Sequence, residues 1–255
     1  MLARCKNSFH RKAVFALFSA VALAVARPAL AADEPLHYLA SGLPDPALLA
    51  PPPIQGSVEF TSDMAQVVAV HRTCTSNDMA LAYSEKKFSA FNFTTAVGDF
   101  FQPGKFPKTE AFLKRVQEEA ELATDNAKDF WKRPRPFMVD TNLANGKLET
   151  SFSYPSGHST EGTAVALVLA EIFPDKSDAI LGISRDLGWH RVWIARHYPT
   201  DIHAGRTFAR VIVREMQASP AFQRDLVEAK REIATARSAK TQVRESAALP
   251  ALMVK

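Results

Sequence analysis

The feature that most constrains the fold is the segment from Thr163 to Phe173, which is apolar on almost every side at helical spacing. A helix that is apolar all round has to be buried by the elements around it. Its only charged residue is Glu171, and Pro174 follows directly. The segment therefore predicts a central helix that is enclosed by the rest of the chain.

The remaining sequence also has helical periodicity. Pro107 suits the first position of a helix, and a further amphipathic helix is predicted after Pro220. No segment shows the sustained alternation of apolar and polar residues that is typical of strands. We therefore predict an all-α protein with a single compact helical bundle domain at residues 57–237.

Two segments outside this domain have their own composition. Residues 43–53 are too rich in proline for regular structure, so we predict an extended N-terminal arm at residues 32–56 that lies over the domain. Residues 238–255 form a polar tail, which we expect to be poorly ordered.

The first 31 residues have the parts of a secretory signal. Ala13 to Ala26 is apolar, Ala29-Leu30-Ala31 fits a small-residue cleavage site, and the segment has no acidic residue. We expect cleavage after Ala31 and a periplasmic or secreted product without a membrane anchor. The net charge of +4 becomes close to neutral once this segment is removed, which argues against a nucleic acid polymer as partner. The basic residues of the segment are Arg4, Lys6, Arg11, Lys12 and Arg27.

The first of three segments with unusual chemistry runs from Lys128 to Pro136 and is rich in cations. Arg133 and Arg135 each precede a proline, which disfavours helical backbone at both positions. The helix that carries Lys128 is therefore expected to end here and to leave Arg135 on extended backbone. The alternative reading of this segment is a solvated basic turn.

The second segment, Ser153 to Thr160, lies just before the predicted central helix. Ser159 or Thr160 can cap that helix, and free N–H groups at its N-terminus favour an anion. Gly157 lets the backbone approach a ligand closely. A bound dianion would hold His158 protonated. The alternative is an ordinary capped turn with an exposed histidine.

The third segment runs from Arg191 to Asp201. Pro199 suits the start of a new helix, so His197 lies immediately before it. Asp201 follows His197 by four residues and is expected to accept a hydrogen bond from one imidazole nitrogen. Such a bond fixes the tautomer and leaves the other nitrogen free to attack. The alternative is a structural His–Asp pair.

Together the three segments resemble the signature of the type 2 phosphatidic acid phosphatase superfamily, which includes the vanadium haloperoxidases. Within it the chain is similar to the bacterial class A non-specific acid phosphatases. The pattern is Lys-x6-Arg-Pro, then Pro-Ser-Gly-His, then Ser-Arg-x5-His-x3-Asp, and the resemblance covers roughly residues 43–235. The matching positions are Lys128, Arg135, Pro136, Pro155, Ser156, Gly157, His158, Arg191, His197 and Asp201.

The resemblance implies an acid phosphatase that hydrolyses a broad range of small phosphate monoesters without a metal or other cofactor. His197 would be the nucleophile that forms a phosphohistidine, Asp201 would stabilise the resulting cation, and His158 would be the general acid and base. The implied phosphate-binding residues are Lys128, Arg135, Ser156, Gly157 and Arg191. Phosphotransfer to alcohols and homo-oligomerisation stay open.

One departure from the pattern is His190, which stands where a serine is expected before Arg191. Two other functions remain as alternatives. A vanadium-dependent haloperoxidase would use the same constellation to hold vanadate, and a phosphate-binding or structural protein would keep the fold with a decayed site. Retention of both histidines and of Asp201 argues against the decayed site.

Overall fold

The computed structural model describes residues 36–248, and side chains are described up to residue 238. The fold is all-α, which confirms the predicted class. The helices are α1 (Val58–Thr73), α2 (Ser76–Ser84), α3 (Thr94–Val97), α4 (Pro107–Trp131), α5 (Pro136–Val139), α6 (Gly157–Ile172), α7 (Ser177–Trp193), α8 (Pro199–Gln217) and α9 (Pro220–Ala248). Short 3₁₀ turns span Pro46–Leu48, Ala90–Phe93, Thr141–Leu143 and Pro174–Lys176.

Helix α6 is the predicted central helix. None of its residues is exposed, and Val165 and Leu169 have no accessible surface. Helices α4, α7 and α8 pack around it, which buries every face of a sequence that has no polar face. The core therefore surrounds α6, and the N-terminus of this helix lies among the helices that enclose it.

The chain before α1 is fastened to the bundle by polar contacts. The carboxylate of Glu119 on α4 accepts hydrogen bonds from the backbone N–H groups of His37, Tyr38 and Leu39 at 2.8–3.1 Å. The Trp131 indole donates to the carbonyl of Pro46 at 3.3 Å. These contacts hold the described part of the arm on the domain. The expectation of no regular structure at residues 43–53 differs from the structure at Pro46–Leu48, where the Leu48 and Leu49 N–H groups close a 3₁₀ turn at 3.1 Å.

Prolines set the starts of four helices, and one of these is α5, which begins at Pro136. Helices α4, α8 and α9 begin at Pro107, Pro199 and Pro220, as predicted. The cap of α6 differs from the prediction, because this helix begins at Gly157 and Ser156 is its N-cap, whereas Ser159 and Thr160 lie inside the helix.

The C-terminal boundary also differs from the prediction. Helix α9 runs to Ala248, so the boundary drawn between residues 237 and 238 falls inside a helix. The backbone of residues 238–248 continues the helix that begins at Pro220. The predicted signal segment at residues 1–31, the start of the arm and residues 249–255 lie outside the described residues.

Candidate active site

Backbone geometry brings His197 to the centre of the three predicted segments. Helix α7 ends at Trp193, and Ala195 adopts a left-handed conformation with φ of 52°, which is uncommon for a residue with a Cβ. This turn is closed by a hydrogen bond from the Arg196 N–H to the Arg191 carbonyl at 2.9 Å. Pro199 then starts α8, so His197 lies in the tight connection between the two helices.

The imidazole of His197 is buried, with 3% of the residue exposed, and its two nitrogens have different partners. Nδ1 lies 2.8 Å from the carbonyl oxygen of Ser153, which can only accept a hydrogen bond. Nε2 lies 3.2 Å from Nη1 of Arg135, which can only donate. The proton of the neutral ring therefore lies on Nδ1, and the lone pair of Nε2 faces Arg135.

Burial lowers the pKa of His197 well below its ordinary value, and the charges of Arg135, Arg191 and Lys128 lower it further. A positively charged imidazole would be desolvated and surrounded by cations, so the neutral form is favoured. The cations predicted to bind phosphate are thus the same ones whose charges act on His197. The structure brings these residues together.

The sequence predicted that Asp201 accepts a hydrogen bond from His197, but Asp201 is not the nearest partner of the imidazole. Its Oδ2 lies 3.4 Å from Nδ1 of His197, whereas the Ser153 carbonyl is closer. The Asp201 carboxylate instead accepts hydrogen bonds from the Ser153 hydroxyl at 2.6 Å and from the Tyr198 N–H at 2.8 Å. The prediction that Asp201 fixes the tautomer of His197 is therefore corrected. The Ser153 carbonyl fixes that tautomer, and the Ser153 hydroxyl binds Asp201.

Arg133 and Asp63 form a buried network with Asp201 that sequence reasoning missed. Arg133 donates from Nη1 to Oδ1 of Asp201 at 2.6 Å and from Nη2 to Oδ2 of Asp63 at 2.7 Å. Its guanidinium also lies 3.8 Å from the centre of the Tyr198 ring. The proline after Arg133 was a local signal for its extended backbone, but no pattern pointed to Asp63 on α1.

The three predicted phosphate-binding cations differ in their environments. Arg135 has extended backbone, as predicted, and donates to the Ser151 carbonyl and to the Arg196 carbonyl at 2.7 and 2.9 Å. Lys128 pairs with the exposed Asp125 at 2.8 Å. Burial lowers the pKa of Arg191 to about 10, against the opposing charge of Glu149.

Glu149 is a second residue that the sequence did not single out. Its carboxylate lies 3.1 Å from Nη2 of Arg191 and 2.6 Å from Nε of Arg196. It therefore balances part of the positive charge beside His197. The side chain of Glu149 is one-quarter exposed, so it lies where the buried cations meet solvent.

The N-terminus of α6 is held against α8 by close backbone contacts. A Cβ on Gly205 would lie 2.8 Å from the Ser156 carbonyl, so only glycine fits there without a shift. The Ser156 N–H donates to the Asp201 carbonyl at 3.1 Å, and the Ser156 hydroxyl accepts from Ser159 N–H at 3.4 Å. Among the described residues the N–H groups of Gly157 and His158 have no acceptor, which is expected for the first turn of a helix.

This geometry narrows the predicted anion site at α6. The backbone N–H of Ser156 already donates to the Asp201 carbonyl. The hydroxyl group is therefore the donor with which Ser156 can bind an anion. Gly157 and His158 present their N–H groups at the positive end of the helix dipole. Ser156 and Gly157 are both buried, and the Ser156 N–H joins this turn to the Asp201 carbonyl.

His158 is held through one nitrogen by the end of α2. Its Nε2 lies 3.1 Å from the Glu85 carbonyl, which makes Nε2 the donor and leaves Nδ1 for a ligand. Burial, together with the charges of Arg191, His197 and Lys128, lowers the pKa of His158 to about 3. Without an anion the ring is neutral, so the protonated form expected from the sequence requires a bound dianion.

The departure at His190 has a structural partner in Glu85. Nδ1 of His190 lies 2.7 Å from Oε2 of Glu85, and the imidazole packs 4.0 Å from the ring of Trp193. The Glu85 backbone carbonyl holds His158, so the side chain of His190 supports the segment that positions His158. A serine would be too short to make both contacts.

Among the described residues there is neither a metal-binding cluster nor a membrane-spanning helix. No group of three or more histidine, cysteine, aspartate or glutamate side chains between residues 36 and 238 has the geometry of a metal site. No helix within the described range is long and apolar enough to span a bilayer.

Comparison with known proteins places the chain and its fold in a class. Residues 120–223 match the PAP2 superfamily model. The fold is shared with a transmembrane PAP2-type phosphatidylglycerolphosphate phosphatase from Bacillus subtilis, with a TM-score of 0.50 and 20% identity over 65% of this chain and 87% of that one. It is also shared with a bacterial vanadium-dependent iodoperoxidase, with a TM-score of 0.52 and 18% identity over 67% and 52% of the two chains. At these identities the two structures indicate the fold alone.

Sequence relatives make the assignment more specific. The chain is 32% identical to a non-specific acid phosphatase of Providencia stuartii, over 78% of this chain and 85% of the relative. It is 30% identical to an acid phosphatase of Zymomonas mobilis, over 76% and 77% of the two chains. The chain belongs to the PAP2 superfamily and, within it, to the bacterial non-specific acid phosphatases. It is a phosphoric monoester hydrolase, which confirms the resemblance drawn from the three segments.

Proposed function

We propose that this acid phosphatase hydrolyses a broad range of small phosphate monoesters through a phosphohistidine intermediate on His197. The observation that carries the proposal is the fixed neutral tautomer of His197, with its proton held by the Ser153 carbonyl at 2.8 Å. The lone pair of Nε2 then faces Arg135, a cation suited to bind a phosphoryl oxygen. A neutral, oriented nitrogen beside an anion site is what nucleophilic attack on phosphorus requires.

Lys128, Arg135 and Arg191 would bind the non-bridging phosphoryl oxygens, together with the Ser156 hydroxyl and the N–H groups of Gly157 and His158. Fixed cations and N–H groups stabilise the charge that spreads over these oxygens in the transition state. The carboxylate of Glu149 lies 3.1 Å from Arg191 and balances its charge. In this arrangement the phosphate of the substrate takes over that charge balance when it binds Arg191.

The first chemical step forms a bond from Nε2 of His197 to phosphorus and breaks the bond to the ester oxygen. His158 gives its Nδ1 proton to the departing oxygen, so an alcohol leaves. Asp201, 3.4 Å from Nδ1 of His197, stabilises the positive charge that the phosphorylated imidazole then carries. In the second step water attacks phosphorus and gives its proton to His158, and the phosphorus–nitrogen bond breaks.

Acid conditions favour this mechanism for a reason that follows from the charges. The pKa of His158 is lowered to about 3 by burial and by nearby cations, so a proton has to be taken up as the phosphate dianion binds. A dianion close to the ring raises that pKa. An alcohol that replaces water in the second step would receive the phosphoryl group, which gives a phosphotransferase side activity.

The test compares His197→Ala and His158→Ala by rapid quench with a labelled aryl phosphate, followed by peptide mapping under alkaline conditions. His197→Ala should abolish labelling and turnover. His158→Ala should slow alkyl phosphates more than aryl phosphates with acidic phenols, by a factor within the roughly 10²–10⁴ range of general acid catalysis.

His203→Ala is the matched control, because His203 is an exposed histidine on α8 outside this network, and it should retain wild-type activity. Label on a residue other than His197 would contradict the proposal. Equal losses for aryl and alkyl esters in His158→Ala would contradict the role of His158.

We also propose that the chain is exported to the periplasm or secreted. The support is the sequence of the first 31 residues, with a basic start, a short apolar stretch and the site Ala29-Leu30-Ala31. About 14 apolar residues are fewer than the roughly 20 that a membrane-spanning helix needs, so cleavage would release the domain from the membrane.

A further inference from the structure

Glu161 is an acidic residue at the edge of the proposed phosphate site. It lies in the first turns of α6, after Gly157 and His158, and it is partly buried. A Cβ built on Gly157 would lie 3.2 Å from Oε1 of Glu161 and 3.6 Å from Nζ of Lys128. The carboxyl group and the lysine therefore flank the same glycine, and the carboxyl oxygen lies close to its backbone.

The carboxyl group of Glu161 has an uncharged partner. Its Oε2 accepts a hydrogen bond from the Gln117 amide at 3.1 Å, and the same amide lies 3.4 Å from the Phe88 carbonyl. None of the ion pairs within 4.0 Å among the described residues includes Glu161, and Lys128 pairs with Asp125 instead. Glu161 thus adds a potential negative charge beside Lys128, without being the ion-pair partner of that lysine.

The charges that face Glu161 come from α4 and from its own helix. On α4, Glu121 and Asp125 are acidic and Lys128 is basic, and on α6 the neighbouring titratable group is His158. Burial raises the pKa of Glu161 to about 7, with Glu121 adding to the increase, while the Gln117 hydrogen bond and Lys128 oppose it. The carboxyl group is therefore neutral in acid and ionises as the pH rises through neutrality.

We propose that Glu161 is a charge gate of the phosphate site, which admits a dianion when its carboxyl is protonated and repels it when the carboxylate forms. This inference rests on the proposed function, because it assigns the dianion to Lys128, Gly157 and their neighbours. It also means that phosphate affinity falls at high pH because a group of the protein ionises, and not because the substrate does. The gate acts on ligand affinity and hence on KM.

The test measures the affinity of sulfate as a function of pH, because sulfate stays a dianion between pH 5 and 8. Calorimetry and competition against an aryl phosphate give its dissociation constant. In the wild-type protein the affinity should fall by about tenfold or more across the pKa of Glu161, since a tenfold change corresponds to one unit of pKa shift. Glu161→Gln should remove the fall whose midpoint lies near the pKa of Glu161, while the dependence that comes from proton uptake by His158 should remain.

Two further variants keep the inference falsifiable. Glu118→Gln makes the same charge change at an exposed position of α4 and should follow the wild-type profile. Gln117→Ala removes the hydrogen bond that lowers the pKa of Glu161, so the loss of sulfate affinity should move to higher pH. This variant decides the question if Glu161→Gln does not fold.

The inference is overturned if Glu161→Gln keeps the wild-type pH dependence of sulfate affinity, or if Gln117→Ala leaves the midpoint unchanged. Its failure can be told apart from failure of the proposed function. A protein that forms no phosphohistidine but loses sulfate affinity through the ionisation of Glu161 would contradict the mechanism and support the gate. A protein that forms phosphohistidine, but whose sulfate affinity does not depend on the ionisation of Glu161, would support the mechanism and contradict the gate.

Discussion

Replacing Arg133 with methionine should destabilise the protein severely, although Arg133 has no assigned contact with the substrate. The guanidinium joins Asp63 at 2.7 Å to Asp201 at 2.6 Å, and the exposed fractions of the three side chains do not exceed 3%. Methionine can fill the volume of the aliphatic stem but leaves two buried carboxylates without their cation.

Removing one partner of a buried ion pair typically costs about 3–5 kcal/mol. Here two carboxylates lose a partner, but each keeps hydrogen bonds from hydroxyl groups, since Ser153 donates to Asp201 at 2.6 Å and Thr200 donates to Asp63. We therefore expect a loss of about 4 kcal/mol at neutral pH, a large share of the roughly 5–15 kcal/mol of a typical domain.

The loss should depend on pH with a defined sign. Burial is the main cause that raises the pKa of Asp201, and Arg133 is the largest opposing one. Without Arg133 the folded pKa of this carboxyl rises further above its unfolded value of about 3.9. The folded state then holds an extra proton at low pH, and its stability falls as the pH rises through the folded pKa. The difference from wild type should be smallest in acid.

Urea unfolding followed by circular dichroism at pH 4.5 and pH 7.5 measures both effects. Arg214→Met, at an exposed position of α8, is the control and should change the free energy of unfolding by less than about 0.5 kcal/mol. The double variant Arg133→Met/Asp63→Asn should recover part of the loss, because one of the unpaired charges is removed. A loss below about 1 kcal/mol, or a loss that does not change with pH, would refute the reasoning.

Three other predictions concern the fold, the ion requirement and processing. Gly205→Ala places a methyl group 2.8 Å from the Ser156 carbonyl, so it should lower both thermal stability and phosphate affinity. The control Gly182→Ala, at a position with room for a Cβ, should lower neither. Activity should survive exhaustive chelation, because lysine, arginine and N–H groups are proposed to fill every charge-neutralising role, and recovery of a chelated enzyme by a divalent ion would contradict this. Vanadate should inhibit, because it mimics the pentacoordinate transition state of the proposed mechanism. N-terminal sequencing of exported protein should begin at Ala32, and a membrane-bound product with Met1 intact would exclude the proposed cleavage.

The sequence by itself determined the fold class and the positions of several helix boundaries. Pro107, Pro199 and Pro220 start helices because proline fits the first helical position, where no N–H is needed. The apolar run within α6 required burial on every side, and that burial follows from composition alone. The extended backbone of Arg135 also follows from a local steric rule, since Pro136 comes next.

The sequence also supplied the residue types of the site through three short motifs, but the tertiary structure decided their contacts. The Ser153 carbonyl, and not Asp201, is the nearest partner of His197 Nδ1, and the Glu85 carbonyl holds His158. Backbone carbonyls are present at every residue, so no sequence pattern can indicate which of them faces a given ring.

The same limit applies to charges that come from distant parts of the chain. Asp63 on α1 reaches Arg133, and Glu149 reaches Arg191 and Arg196, only after the helices have packed. Sequence spacing predicts neighbours within one helix or turn, where the backbone geometry is fixed. Pairing between elements depends on how those elements pack, which only the tertiary structure decides. The same packing causes the desolvation that shifts the pKa values of Glu161 and His158.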